Sequence, residues 1–498
     1  MNLLRLIVVS CAVAAALPSV GGDGRVETPE LTLEVNSTNA SFRVTDRRTG
    51  RTWESEPQYS HMPQNLAVTG CEAVGREIRL AMTASGGRNL SATFRLEPEP
   101  GEMTVTFDTG WRYKKEWEMA FPGPLRSKRG DRLIVPLNEG MGYPVEGESE
   151  GLRNLAGFSG HGLSMGFFGV VADEGGAGWM AIVEEAPEDM RMEVFRLGEE
   201  QLLSAGVRWI SENRVIGYPR RLRFVFFADG GHVAMCKRYR RYAKEKGYLK
   251  TFREKAKSRP DVLKLPGSVN IWYFRKDHAA MAKELHDAGI ERMLWSGGKH
   301  TDASNVTEIA KIPGVLVGRY DLYQGVYPPE LAAKCGGGAI GYNPEAWPDD
   351  ILWSGPTSND WRRGWEVKAK DGTKHPLAML CPAKAPDYAR RKIPPDLAAR
   401  PYNTRFLDTT CSSQWFECKN PAHPLTRRQC HRKRIELLGV LSDELKLVTG
   451  TENGHESAVP VCDYFEGMMS ISPYTLPDCG RNMDVIWTNA LPALTAKY

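Results

Sequence analysis

The sequence predicts a multidomain protein in which an N-terminal antiparallel β-sandwich precedes a (β/α) barrel of the TIM type. Short segments that alternate apolar and polar residues fill residues 25–230, which is the period-2 pattern of half-buried strands. From residue 265 onward strands and helices alternate, and strands that start at 269, 292 and 314 have the spacing of βα units. We therefore predict four regions: a signal peptide at 1–22, a β-sandwich domain at 23–230, a linker helix at 231–264 and a catalytic barrel domain at 265–498.

The composition is that of an ordinary globular protein. The chain has 498 residues, of which 41% are hydrophobic and 25% charged, and these values exclude collagen-like, disordered and polytopic membrane chains. A formal net charge of +4 is nearly neutral for this length, which argues against a general nucleic-acid binder.

The N-terminus predicts export to the periplasm or the extracellular space. Arg5 precedes the apolar run 6–16, and small residues follow as far as Gly22, as in a cleavable signal peptide. The run is shorter than the ~20 residues of a membrane-spanning helix, and no later stretch qualifies. Cys11 as a lipoprotein cysteine is the less favoured interpretation, because the apolar run continues past it.

The sandwich is predicted from strands that are separated by turn signals such as Asp46–Gly50 and Glu97–Gly101. Many short strands without long helices favour a large antiparallel sandwich, which we expect to shape the substrate site. The predicted strands lie at 31–35, 40–44, 78–82, 92–96, 103–107, 133–136, 166–171, 178–183 and 222–227.

The linker is a basic helical stretch that begins near Val233. Such a stretch could be a nucleic-acid or membrane patch. The favoured interpretation is a solvated helix that docks through Met235, Tyr239 and Tyr242.

The barrel region is predicted to contain five clear strands. A long excursion over 324–400, rich in Pro, Gly, Trp and Lys, predicts a functional insertion. The predicted strands are 269–274, 292–295, 314–321, 404–408 and 445–449, and the predicted helices are 277–288, 303–310 and 423–441.

Catalytic residues of such barrels collect where the strands end. Asp408 and Glu452 follow neighbouring strands, and a pair of carboxyl groups beside aromatic rings suits glycoside hydrolysis. Each candidate also has a purely structural interpretation. Asp408 could cap a turn, Glu452 could be an exposed acid in a loop, and the tryptophans could pack in the barrel core. The predicted substrate-binding residues near the strand ends are Trp272, Trp295, Lys299, Arg319, Tyr320, Asp321, His423, Asn453 and His455.

The cysteines predict neither a disulfide framework nor a zinc site. Cys411, Cys418, Cys430 and His431 lie close together in the sequence, but their spacings do not match the Cys-x2–4-Cys knuckles of zinc sites. We expect buried thiols with one disulfide at most. No cofactor is expected, and a structural calcium ion bound by loop carboxylates stays possible.

Five segments of the barrel region resemble glycoside hydrolase family 129, which is related to the endo-α-N-acetylgalactosaminidases of family 101. The resemblance covers roughly residues 260–498 and implies retaining cleavage of α-linked N-acetylgalactosamine or a similar sugar. It places Asp408 as the nucleophile and Glu452 as the acid/base. The segments are 317–323, 405–410, 420–427, 448–454 and 462–468.

Two other interpretations remain open at this stage. A non-catalytic carbohydrate-binding or surface scaffold protein would keep the aromatic residues without aligning two acids, and a lyase or another hydrolase could use the same fold. Five clear strands are also fewer than the eight of a closed barrel, so the sequence predicts a barrel that is incomplete at its C-terminus. An inactive, truncated glycosidase is therefore a further alternative.

Overall fold

A computed structural model of the chain describes residues 24–57, 66–137, 140–147, 155–172, 176–297, 301–335 and 343–467. The predicted signal peptide at 1–22 and Cys11 lie outside these ranges. Within the ranges, no helix has both the length and the apolar character that crossing a membrane requires.

The N-terminal region consists of antiparallel sheets. One sheet holds β1 to β4, a second has the order β11-β10-β13-β14-β17-β8-β7-β6-β5, and a third has the order β12-β15-β16-β9. The strands are β1 Gly24–Glu27, β2 Leu31–Val35, β3 Phe42–Asp46, β4 Arg51–Glu54, β5 Ala67–Val74, β6 Glu77–Ala84, β7 Arg88–Leu96, β8 Glu102–Asp108, β9 Glu118–Ala120, β10 Asp131–Val135, β11 Met141–Pro144, β12 Leu155–Gly157, β13 Phe167–Ala172, β14 Gly178–Val183, β15 Met190–Leu197, β16 Leu202–Ile210 and β17 Arg220–Phe227.

These sheets bury one apolar core. Alternate residues of a strand point to opposite faces, so β7 buries Leu90 and Phe94 while its polar residues face outward. Trp53 of the first sheet, Phe94 of the second and Trp209 of the third all belong to this one cluster. An N-terminal antiparallel region is thus confirmed, and its closure into a sandwich stays a prediction.

The basic stretch forms helix α1, Gly231–Glu245, and the short helix α2, Phe252–Ala256, follows it. Helix α1 buries Met235, Tyr239 and Tyr242, as the sequence predicted. These side chains pack on residues of β13, β14 and β17, including Phe167. Most charged residues of α1 lie on its solvated side, whereas Arg238 pairs with the buried Glu102 at 2.6 Å.

The second half of the described chain is a six-stranded parallel sheet with the order β18-β19-β20-β24-β25-β26. An antiparallel sheet of β21, β23 and β22 lies in the insertion between β20 and β24. The elements are β18 Val269–Tyr273, α3 His278–Asp287, β19 Met293–Gly297, α4 Ala303–Ala310, β20 Val315–Leu322, β21 Gly325–Val326, α5 Pro329–Cys335, β22 Arg363–Lys368, β23 Lys374–Met379, α6 Ala385–Ala399, β24 Thr404–Asp408, α7 Arg427–Gly439, β25 Val448–Glu452 and β26 Tyr464–Glu466.

Several predicted boundaries differ from the structure, and two of the differences lie next to the site. Strand β25 begins at Val448 rather than at 445, because a turn of π-helix extends to Glu444 and Lys446 has a left-handed φ of 60°. Glu452 therefore ends the strand instead of lying in a loop. Helix α7 begins at Arg427 rather than at 423, because Thr426 caps it together with the side chain of Gln429.

The parallel sheet curls, so that it has an inner and an outer face. Val317 and Trp295 lie on the outer face, in a core shared with α3 and α4. Leu294 and Leu316 lie on the inner face and contact Val448. The described residues confirm a curled parallel half-barrel; a closed TIM barrel and its predicted C-terminal incompleteness stay predictions.

Candidate active site

The two acids predicted to be catalytic end neighbouring parallel strands. Asp408 is the last residue of β24 and Glu452 the last residue of β25, and these strands pair directly. Both side chains lie on the inner face, half-buried, and their carboxyl groups are close enough to hydrogen-bond to each other. A hydrogen-bond separation is shorter than the ~6.5–9.5 Å that inverting glycosidases need for a water between their carboxyl groups.

The surroundings raise the pKa of the Asp408 carboxyl to about 6. Burial is the largest cause, and the neighbouring Glu452 also raises the pKa, whereas a hydrogen bond from the Tyr320 hydroxyl to Asp408 Oδ2 lowers it. Two carboxyl groups in contact cannot both ionise freely, so the pair retains one proton into the mildly acidic range.

Two further groups contact Glu452. The Ser412 hydroxyl donates a hydrogen bond to Glu452 Oε2 at 2.8 Å, and His161 Nε2 lies 3.8 Å from Glu452 Oε1. His161 belongs to the N-terminal region, whose Gly160 N–H donates to the Cys411 carbonyl at 2.9 Å. Both parts of the protein therefore contribute to the surroundings of Glu452.

Aromatic rings form a floor beneath the two acids. Trp272, Tyr320 and Tyr464 each lie within 6.2 Å of the Phe406 ring, measured between ring centroids. Gly450 supplies the space that the floor needs, because a Cβ on this residue would lie 2.1 Å from the Tyr464 ring. The floor is therefore closely packed on the inner face of the sheet.

A third carboxyl group, Glu466, shares the inner face. It ends β26 and pairs with Glu452 in the strand register. Its carboxylate accepts hydrogen bonds from Asn270 Nδ2 at 2.7 Å and from Trp272 Nε1 at 3.2 Å. Burial raises the pKa of Glu466, and the charge of nearby Asp408 adds to this. Glu466 thus fixes the Trp272 ring and adds a carboxyl group beside Asp408.

We expect Glu466→Gln to lower kcat/KM for an aryl α-glycoside by about 10–100-fold, because an uncharged amide holds Asn270 and Trp272 more weakly. Steady-state kinetics at constant pH measure this loss. Glu366→Gln is the matched control, since Glu366 is exposed on β22 and should keep wild-type kinetics. An E466Q variant with wild-type kcat/KM would contradict the positioning role.

The acids open into a cavity of about 410 Å³. Its walls come from the strand ends and from the insertion, whose β22 places the 63% exposed Trp365 at the rim. A volume of this size accommodates a small ligand such as a monosaccharide unit. The lining residues include Tyr320, Leu322, Tyr327, Trp365, Val367, Leu377, Asp408, Thr409 and Glu452.

Arg319 and Asp321 were predicted to bind substrate, but their side chains point away from the cavity. On β20 they alternate with Tyr320, so they face the outer side, towards α6. Asp321 is buried and accepts hydrogen bonds from Arg405 and, at 2.9 Å, from Arg319. Arg319 also pairs with Asp396 of α6 at 3.0 Å. This network attaches α6 to the sheet.

Trp295 and His423 also lie away from the acids. The Trp295 ring is fully buried in the outer core, where its Nε1 donates to His278 Nδ1 at 3.1 Å, so neither ring face is open to a sugar. His423 lies in the loop before α7, next to Cys418. Lys299 lies outside the described residues.

Asn453 and His455 follow Glu452 in the chain and are buried, and they do not line the cavity of the acids. Asn453 is fully buried, and its Nδ2 contacts His161 Nδ1 at 2.8 Å, so it positions the histidine that approaches Glu452. His455 is buried against the Phe158 and Trp415 rings. Burial lowers the pKa of His455 well below the ordinary range, and the positive groups around it add to this effect. His455 is therefore neutral at physiological pH.

Glu456 could have been the acid instead of Glu452, but it faces a different cavity of about 470 Å³. The Tyr239 hydroxyl donates to Glu456 Oε2 at 2.5 Å. Burial raises the pKa of Glu456 to about 7. The contact joins α1 to the loop after β25, so Glu456 connects the two regions at a distance from Asp408.

In the part of the chain that the structure describes, one group of His, Cys, Asp or Glu side chains is close enough together to bind a single metal ion. The group consists of Cys381, Cys418 and His423 and lies outside the cavity of the acids. Cys411 and Cys430 are buried free thiols and do not belong to this group. The calcium ion that the sequence left possible stays untested.

Comparisons with known proteins find a family match and similar folds. Residues 284–478 match the family of glycosyl hydrolases related to the GH101 family, GH129. The ligand-free structure of α-N-acetylgalactosaminidase NagBb from Bifidobacterium bifidum matches with a TM-score of 0.71 at 18% identity, over 89% of this chain and 80% of that chain. Its GalNAc complex matches with a TM-score of 0.72 at 18% identity, over 89% and 79% of the two chains. No curated protein matches the chain by sequence.

Proposed function

We propose, from the membership of residues 284–478 in glycosyl hydrolase family GH129, that this glycosidase cleaves α-linked N-acetylgalactosamine by a retaining double displacement. The observation that carries the mechanism is the contact between the carboxyl groups of Asp408 and Glu452 at adjacent strand ends. The similarity of fold to an α-N-acetylgalactosaminidase supports the choice of sugar. Export through the N-terminal signal and closure of the sheet into a TIM-type barrel belong to the same proposal.

In the first step, Asp408 attacks the anomeric carbon while Glu452 protonates the leaving oxygen. A covalent glycosyl-enzyme forms and the aglycone leaves. In the second step, Glu452 removes a proton from water, and the water displaces Asp408 from the sugar. Asp408 must therefore start ionised and Glu452 must start protonated.

Tyr320 supports the ionised form of the proposed nucleophile. Its hydroxyl donates to Asp408 Oδ2, which favours the ionised form of Asp408. The same hydrogen bond lowers the pKa of Asp408 against the effects of burial and of Glu452. Tyr320 is thus proposed to set the pH range in which the nucleophile is available.

We expect Tyr320→Phe to move the acidic limb of the kcat/KM profile to higher pH by about one unit. The wild-type limb should lie near the Asp408 pKa of about 6, because activity is lost as falling pH protonates the nucleophile. Removing the hydroxyl raises that pKa, so the variant loses activity earlier on acidification. A pH–rate profile measures the shift, and Tyr323→Phe, a buried tyrosine of the insertion core, should leave the limb in place. Coincident limbs in Y320F and wild type would refute the assignment.

The proposal is tested by hydrolysis of a panel of aryl α- and β-glycosides by the full chain. Release from the α-N-acetylgalactosaminide, with NMR showing the α-anomer as first product, is the expected result. Hydrolysis of another α-glycoside would keep the mechanism and change the sugar. A β-anomer as first product would overturn the retaining route.

A non-catalytic carbohydrate-binding protein is the second candidate, since it would use the aromatic rim without the acids. It predicts saturable binding of α-linked N-acetylgalactosamine with no turnover. The raised pKa of Asp408 favours the enzyme, because a binding site gains nothing from two carboxyl groups in contact.

A further inference from the structure

Three side chains from two distant segments of the sequence meet outside the cavity of the acids. Cys381 follows β23 of the insertion, whereas Cys418 and His423 lie in the loop between β24 and α7. One ligand atom from each of the three lies within 4.8 Å of the others. All three residues are buried, with exposed fractions of 0%, 4% and 7%.

The His423 ring is oriented as a metal ligand would be. Its Nε2 lies 2.8 Å from the Asp349 carbonyl oxygen, which can only accept a hydrogen bond, so Nε2 carries the proton. In the neutral ring, the lone pair then lies on Nδ1, which faces Cys418 Sγ at 3.6 Å. A backbone carbonyl that fixes the tautomer in this way is typical of metal-bound histidines.

The distance between the two donor atoms fits a single ion. Zinc–sulfur bonds of ~2.3 Å and zinc–nitrogen bonds of ~2.0–2.1 Å at a tetrahedral angle place sulfur and nitrogen about 3.6 Å apart. Cys418 Sγ and His423 Nδ1 are 3.6 Å apart. The Trp353 backbone N–H also points at Cys418 Sγ, at 3.5 Å, and such a donor stabilises a thiolate.

We propose that Cys381, Cys418 and His423 bind one zinc ion in a Cys2His site. Sulfur and imidazole donors select zinc over calcium or magnesium, which prefer oxygen. The three protein donors leave the fourth tetrahedral position to a water molecule or a small anion. The sequence did not reveal this set, because Cys381 lies 37 residues before Cys418.

The ion would join the insertion to the loop that supports Glu452. The loop with Cys418 and His423 also carries Ser412, whose hydroxyl donates to Glu452. Cys381 lies just beyond β23, whose Leu377 lines the cavity of the acids. Zinc at this place would fix two walls of the cavity relative to each other.

The test is the metal content of the full chain, purified under reducing conditions without chelators. We expect about one zinc per chain by mass spectrometry of the metal, and a thiolate-to-cobalt charge-transfer band after exchange with Co²⁺. Cys418→Ser and His423→Ala should each lose the metal and the band. Cys430→Ser is the matched control, because Cys430 is a buried thiol of the same apolar cluster outside the donor set, and it should keep both.

The wild-type Co²⁺ spectrum does not depend on whether any variant folds. Reduced wild-type protein that takes up neither Zn²⁺ nor Co²⁺ would overturn the site. So would unchanged metal content in folded C418S and H423A, or a Cys381–Cys418 disulfide that re-forms in the presence of zinc. Circular dichroism establishes that the compared variants are folded.

Discussion

We expect Asp408→Asn to lower kcat by about 10⁴-fold or more, because the variant has no nucleophile to form the glycosyl-enzyme. The loss should be similar for all leaving groups, since the first chemical step itself is lost. Hydrolysis of an activated aryl α-glycoside by the purified full chain measures it. Near-wild-type turnover by D408N would remove Asp408 from the mechanism.

Stability provides the control for this variant. The pKa of Asp408 is raised to about 6 in the folded protein, so its ionisation opposes folding. This destabilisation begins as pH rises above the ordinary aspartate pKa and is complete above the folded pKa. D408N removes it, so its Tm at neutral pH should equal or exceed that of the wild type. A large fall in Tm would attribute the lost activity to unfolding.

We expect Glu452→Ala to lower kcat/KM by about 10²–10⁴-fold for substrates with poor leaving groups, because no acid protonates the departing oxygen. Activated aryl glycosides need less protonation and should lose less in the first step. Their glycosyl-enzyme should then accumulate, since no base activates water. Steady-state and burst-phase kinetics separate these two effects.

Azide identifies the role of Glu452 directly. A small anion can occupy the space left by the carboxylate and attack the glycosyl-enzyme without a general base. Azide should therefore accelerate E452A and give an α-glycosyl azide, which NMR detects. Glu456→Gln is the comparison, because Glu456 contacts Tyr239 in the other cavity and its loss should create no dependence on azide. Azide rescue confined to a Glu456 variant would transfer the acid role.

The proximity of the two candidate acids was predictable because it depends only on strand order. Parallel strands that follow one another in the chain bring their C-terminal ends together, so Asp408 and Glu452 had to be neighbours once β24 and β25 were identified. Whether a strand residue faces the cavity or the outer side depends instead on the alternation of side chains between the two faces of the sheet. Tyr320 and Asp321 are adjacent on one strand, so only one of them can face the cavity, and it is Tyr320.

Other parts of the site depend on contacts between distant segments. Glu466 ends a three-residue strand, too short for its alternation to be read from the sequence. His161 reaches Glu452 from the N-terminal region, across almost 300 residues, and no local pattern indicates this. Trp295 was misassigned because a tryptophan near a strand end suits a sugar site and an apolar core equally well.

The cavity wall is built from two parts of the chain, the parallel sheet and the insertion, and these parts differ in how much substitution they can tolerate. The rings beneath the acids leave no room for change, since even a methyl group at Gly450 would overlap Tyr464. The opposite wall, which includes Tyr327, Trp365 and Leu377, belongs to an insertion with its own small sheet. The insertion is therefore the part of the cavity wall that can change without disturbing the strand ends that hold Asp408 and Glu452.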